Sequence, residues 1–119
     1  MSESKRIELR EAYIQGWYAM DTGLSVGACS ETFIFDDPAE PEPVTRDGLA
    51  AYMLRWDQRT RALGADNQWR LTHEVRQDDG ELLIDWEWWE LLGTDLEGAA
   101  FVLTGNDGVL LERITYFER

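Results

Sequence analysis

Leu82-Leu83-Ile84-Asp85-Trp86-Glu87-Trp88-Trp89-Glu90-Leu91-Leu92 is the stretch on which the fold turns. Turn residues bound it on both sides: Asp78-Asp79-Gly80 before it and Gly93 to Gly98 after it. A long strand between two hairpin turns is the reading this predicts. Alternation gives the strand two faces. Ile84, Trp86, Trp88, Glu90 and Leu92 share one, and Leu83, Asp85, Glu87, Trp89 and Leu91 share the other. Both carry apolar residues, so one face should pack on helices. The other, read as exposing Trp89 and Leu91, offers a dimer surface.

The neighbouring sequence extends this strand into a meander. Trp69, Leu71, His73 and Val75 alternate with Arg70, Thr72, Glu74 and Arg76 on the upstream side. Downstream, Ala99 to Thr104 and Val109 to Phe117 flank the turn Gly105-Asn106-Asp107-Gly108. The front half is helical. Leu9, Tyr13, Gly16, Trp17 and Met20 fall on one face of a helix over Ser4 to Met20, which Asp21-Thr22-Gly23 ends. A short second helix is read over Leu24 to Ser30. Thr32 to Asp37 then reads as a strand with Phe33, Phe35 and Asp37 on one face, stopped by Pro38. After the proline-rich loop 38–44, Thr45 or Asp47 can cap a helix whose apolar face is Leu49, Tyr52, Met53, Trp56 and Leu63, with Gly64 as its stop. Helices and strands are segregated, which indicates an α+β fold in one domain over residues 1–119.

The formal net charge is −13. Phosphates would be repelled, which argues against nucleic acid and anionic membranes. One cysteine, Cys29, permits no intrachain disulfide, and no apolar run is long enough to span a bilayer. The N-terminus lacks the apolar core of a signal peptide, so a cytoplasmic location is expected. One histidine and one cysteine exclude the usual zinc sets, and no phosphate-binding loop or nucleophile elbow is present. No metal or cofactor is expected.

The order and spacing of these pieces resemble the nuclear transport factor 2-like superfamily, which includes SnoaL-like polyketide cyclases and ketosteroid isomerases. The carriers are the opening helix with Tyr13, the segment Phe33-Ile34-Phe35 with Asp37-Pro38, the helix start Thr45-Arg46-Asp47-Gly48-Leu49, and the last hairpin Asn106-Asp107-Gly108 leading to Arg113. The resemblance implies a cone-shaped, curved antiparallel sheet packed on N-terminal helices, of the cystatin-like kind. It also implies a pocket at the open end and homodimers paired through the outer sheet face. Ketosteroid isomerases use a carboxylate before a proline as base and a first-helix tyrosine at the enolate oxygen, which points to Asp37 and Tyr13. They also use a protonated aspartate as second oxyanion donor, and Ala99 stands at that place. Alanine cannot donate, and losing one such donor costs on the order of a hundred- to a thousandfold in rate. Steroid isomerisation by that route is therefore not expected.

Each candidate carries a plainer alternative. Asp37 is either a base at an apolar wall or a carboxylate capping the turn at Pro38. Tyr13 is a donor to a ligand or a core phenol with a partner. His73 is a satisfied core histidine, or an acid–base partner of Asp37 or Glu90. Trp17, Phe33, Phe35, Tyr52 and Trp56 are pocket walls or core. The resemblance turns Trp86, Trp88, Glu90, Glu112 and Tyr116 inward as well. The expectation is a small-molecule pocket, with cofactor-independent isomerase or cyclase chemistry on a carboxylate base. A non-catalytic dimeric module and a carboxylate-dependent hydrolase are the alternatives.

Overall fold

A computed structural model describes residues 3–66 and 69–117 of the chain. In chain order it forms α1 (Glu3–Ala19), α2 (Thr22–Gly27), β1 (Cys29–Asp36), β2 (Val44–Thr45), α3 (Arg46–Arg61), β3 (Trp69–Asp78), β4 (Leu83–Leu91), β5 (Glu97–Gly105) and β6 (Gly108–Tyr116). The architecture is α+β, as the segregated pattern predicts. The strands form one curved, unclosed sheet in the order β2-β1-β6-β5-β4-β3. β3 to β6 are a meander of antiparallel neighbours. β1 runs parallel to β6, where a wholly antiparallel sheet was expected. No tight turn can join parallel neighbours, and the rest of the meander and α3 lie between these two in sequence.

Local chemistry sets the helix ends. Asp21 caps α2, its Oδ1 accepting from the Leu24 N–H at 3.2 Å. Thr45 occupies the corresponding position of α3 in extended backbone, but its side chain makes no capping bond. Asp47 in the first turn supplies favourable charge at that end instead. Gly64 follows at φ +104°, a conformation that side-chain-bearing residues disfavour, and Leu63 beside it is exposed rather than on the apolar face.

The buried stripe of α1 is Arg6, Arg10, Tyr13, Gly16 and Trp17. Leu9 and Met20, read as part of that stripe, are only half-buried. The arginines displace them because carboxylates wait on the sheet. The Arg6 guanidinium binds Asp78 with two parallel bonds of 2.7 Å, and its third nitrogen donates to Asn106 Oδ1 at 2.8 Å.

Strand facing decides what lines the interior. Along β4, Leu83, Asp85, Glu87, Trp89 and Leu91 are buried, while Trp86 is exposed. β3 changes face midway. Leu71 pairs with Trp89 and His73 with Trp88, so Thr72 is an extra residue in a β-bulge. Trp69 and Leu71 therefore face the interior, whereas His73 and Val75 face out. One core cluster results, built on Tyr13, Trp17, Phe33, Phe35, Leu49, Tyr52, Met53, Trp56, Trp89 and Val102.

Candidate functional site

Two polar knots sit within the aromatic core. The first is at the end of β1. Asp37 is 2% exposed, on the face of Phe33 and Phe35 as its alternation requires. Its Oδ2 accepts from the Tyr52 hydroxyl at 2.6 Å and the Tyr116 hydroxyl at 3.1 Å. Its Oδ1 accepts from the Ala39 N–H at 2.8 Å, and the Arg59 guanidinium stands 3.6 Å away. Tyr116 in turn accepts from Trp56 Nε1 at 3.3 Å. Burial and the neighbouring carboxylate raise the Tyr52 phenol far above its ordinary value, and burial first pushes Tyr116 up to about 12. Both phenols therefore stay protonated and keep donating to Asp37.

The second knot joins α1 to β6. The Tyr13 hydroxyl donates to Glu112 Oε1 at 2.6 Å. Burial raises the Glu112 carboxyl above the ordinary carboxylate value, against the Tyr13 bond and the Arg10 charge, which lower it. Burial first, then Glu112, holds the Tyr13 phenol well above its ordinary value.

Between the knots lies a cavity of about 40 Å³. Its walls include Trp17, Phe35, Trp56, Trp69, Trp89 and Ile114, and its charged lining residues are Glu87 and Glu112. Trp56 and Trp69 stack at 4.7 Å, and Trp17 meets both edge-on. The lining residues of α1 and β3 other than Trp17, namely Ile14, Tyr18, Trp69 and Leu71, are half-buried, so solvent reaches the cavity between these elements. The space holds about three water-sized groups. Known drug-sized ligands need several hundred Å³, so a larger occupant requires the tryptophans to move.

Glu87 is not a free carboxylate. Arg10 Nη2 donates to its Oε1, and Arg10 Nε lies 3.5 Å from Asp85 Oδ2. Arg76 completes the cluster, donating to Asp85 Oδ1 at 2.6 Å and Glu11 Oε1 at 3.0 Å. Glu112 differs: among the described residues no cation stands within 4 Å of it.

The predicted site residues divide accordingly. Trp17, Phe35, Trp56 and Glu112 line the cavity. Phe33 packs on Tyr13, and Tyr52 and Tyr116 bind Asp37 beside it. Asp37 and Tyr13 do not converge on one point, because each is committed to a different partner. Expectations for six residues are corrected. His73 is exposed on the outer face against Trp88, since the bulge at Thr72 reverses its side of β3. Trp86, Trp88 and Glu90 also face out, where Glu90 pairs with Arg70. Arg10 from α1 and Arg76 from β3 neutralise Asp85 and Glu87, so the acidic face can be buried and the tryptophan face is left outside. By the same exchange Trp89 and Leu91, read as an exposed dimer surface, are interior. Sequence reasoning missed Arg10, Trp69, Glu87 and Trp89. The available signal was complementarity: two arginines one helical turn apart on the tyrosine stripe, and two carboxylates on one strand face.

Among the described residues no group of three histidine, cysteine or acidic side chains is arranged to hold a metal ion, and no helix is long and apolar enough to cross a membrane. No protein-family model matches the sequence, and no curated protein does either. Solved structures match in shape. A cystatin-like fold protein from Burkholderia xenovorans gives a TM-score of 0.71 at 11% identity, covering 98% of this chain and 92% of that one. A nuclear transport factor 2-like protein of unknown function from the same species gives 0.64 at 21% identity, covering 98% and 88%. A candidate ketosteroid isomerase from Kribbella flavida gives 0.61 at 19% identity, covering 98% and 80%. Identities this low speak to fold alone: the chain has the cystatin-like, nuclear transport factor 2-like fold.

Proposed function

We propose that the chain binds a small molecule in the tryptophan-walled cavity and moves a proton with Glu112, in cofactor-independent isomerase- or cyclase-type chemistry. One observation carries this reading: Glu112 is the cavity carboxylate that has no cation within 4 Å among the described residues. Desolvation raises its carboxyl, which brings a general base closer to neutral pH. Tyr13 fixes the carboxyl through Oε1 and remains a donor throughout. Asp37, the base implied by the resemblance, already accepts three hydrogen bonds and does not line the cavity. It is better suited to holding α3 and β6 together. The likeness to a candidate ketosteroid isomerase fits a carboxylate-based reaction, and Ala99 on the outer face leaves the second donor of that chemistry unfilled.

The test is native mass spectrometry of the purified protein for a bound molecule, followed by turnover assays on what is found. Glu112→Gln should abolish turnover while Asp37→Asn lowers stability first. Turnover that survives Glu112→Gln rejects the assignment.

A second reading has its own support. The outer sheet face presents Val75, Trp86, Trp88, Phe101 and Leu103 to solvent to varying degrees, and the cavity is small. A dimeric, non-catalytic module paired with a second copy through that face fits both facts. Sedimentation at micromolar concentration tests the pairing. A dimer that Trp86→Lys converts to monomer supports it, and a wild-type monomer rejects it.

A further inference from the structure

The charge pattern around the cavity narrows the ligand class. Three arginines, Arg6, Arg10 and Arg76, are buried or half-buried between α1 and the sheet. They meet four carboxylates, Asp78, Asp85, Glu87 and Glu11, through direct ion pairs. Each of these arginines is thus paired elsewhere, and Arg10 reaches Glu112 only as a charge acting at a distance. Glu112 has Tyr13 on Oε1, and the cavity lies beside it. The other walls are aromatic and aliphatic, apart from Glu87, and no cationic side chain is among them. A carboxylate in such a setting is costly unless it is neutralised. Aromatic walls also attract cations.

We propose that the cavity selects a small protonated amine, an alkylammonium whose head pairs with Glu112 between the tryptophans. This rests on the reading of the cavity as the ligand site. The volume of about 40 Å³ takes an ammonium group and one or two carbons. The remaining chain leaves between α1 and β3, past Ile14, Tyr18 and Leu71. The net charge of −13 draws cations toward the protein and repels anionic competitors.

Binding must also follow pH. The groups that act electrostatically on Glu112 are Tyr13 and Arg10 from α1, Cys29 from β1 and Tyr52 from α3, and Glu87 from β4 lines the cavity with it. Burial pushes the Cys29 thiol up to about 12 and both phenols higher than usual, so they remain neutral near pH 7. A cation competes with the proton on Glu112, so affinity rises as pH climbs through the Glu112 titration.

The experiment titrates the protein with n-butylammonium chloride and with 1-pentanol, a neutral alcohol one heavy atom longer, at constant ionic strength. Tryptophan fluorescence reports the cavity. Butylammonium should bind roughly tenfold or more tightly than pentanol, the range set by a hydrogen bond to a charged group. Glu112→Gln should remove that preference, and the preference should shrink on acidification. If pentanol binds as well as butylammonium or better, the charge inference falls and the pocket reading stands. If neither ligand perturbs the fluorescence, both fall. The wild-type comparison needs no variant, so poor folding of Glu112→Gln would not block the test.

Discussion

Replacing Arg10 with methionine should unfold this protein more readily than any conservative change at its partners. The Arg10 side chain is 2% exposed, and those of Glu87 and Asp85 are 5% and 0%. Asp85 keeps Arg76 at 2.6 Å when Arg10 is removed. Among the described residues Glu87 has no other cation within 4 Å. Breaking a buried pair from one side costs about 3–5 kcal/mol, because the remaining charge is stranded. Arg10→Met should therefore cost about that much. Glu87→Gln should cost less, since Arg10 retains Asp85 at 3.5 Å. The double variant Arg10→Met/Glu87→Leu should recover most of the loss, because a matched apolar pair avoids stranding either charge. Arg10 Nε and Nη1 and Asp85 Oδ2 make no hydrogen bonds, so the wild-type pair is incompletely satisfied and a full recovery is within reach. Urea unfolding at pH 7 measures all three, and the single variant Glu87→Leu closes the cycle from which the coupling is read. A cost below about 1 kcal/mol for Arg10→Met would refute the reasoning, since that is the range of exposed pairs. So would a double variant no better than the single one.

Further predictions concern other parts of the fold. The Glu112 carboxyl is raised in the fold, so its contribution to stability is full below the ordinary carboxylate value of 4.5 and is lost as pH rises through its own titration. The urea midpoint of Glu112→Gln relative to wild type should thus improve as pH rises above that value, and a gap that does not move with pH contradicts it. Trp56→Ala should cost about 3–5 kcal/mol, since this ring is 2% exposed and stacked on Trp69, whereas Trp86→Ala on the outer face should cost no more than about half of that in a monomer. Thermal melts of both variants check the facing of β4. Gly98→Ala should destabilise by about 1–3 kcal/mol or more, because its Cβ would collide with the Thr115 carbonyl oxygen and stand 2.8 Å from Trp89 Cζ2. Gly27→Ala, whose Cβ meets nothing within 4 Å, is the control and should be neutral or stabilising.

The elements were legible because their signals are local. Asp21-Thr22-Gly23, Pro38 and Asp78-Asp79-Gly80 punctuate the chain where elements end, and the resemblance rested on that order. Phe33, Phe35 and Asp37 alternate into the core as their spacing predicts. Facing was harder where a long-range partner decides it. Counting apolar residues on β4 favours burying Trp86 and Trp88 over Asp85 and Glu87. The decision lies with Arg10, whose bond to Glu87 spans 77 positions of sequence. Tyr13 and Glu112 are likewise 99 positions apart. Glu112 was named only as one of several inward carboxylates, because its lack of a cation follows from which acids the arginines of α1 and Arg76 claim first.

The bulge at Thr72 has a genetic consequence. It is the one place where β3 exchanges the wall of the cavity for the outer surface. Deleting that single codon would restore strict alternation through β3. Leu71 would then be followed directly by His73, so Trp69 and Leu71 would keep the cavity side and His73 and Val75 the outer side without the bulge. Thr72→Ala and the deletion of Thr72 should therefore both fold normally by circular dichroism, and a deletion variant that does not fold contradicts this reading of the bulge. The bulge is therefore a point at which the strand can shorten by one residue without exchanging its faces, and Thr72 itself is exposed.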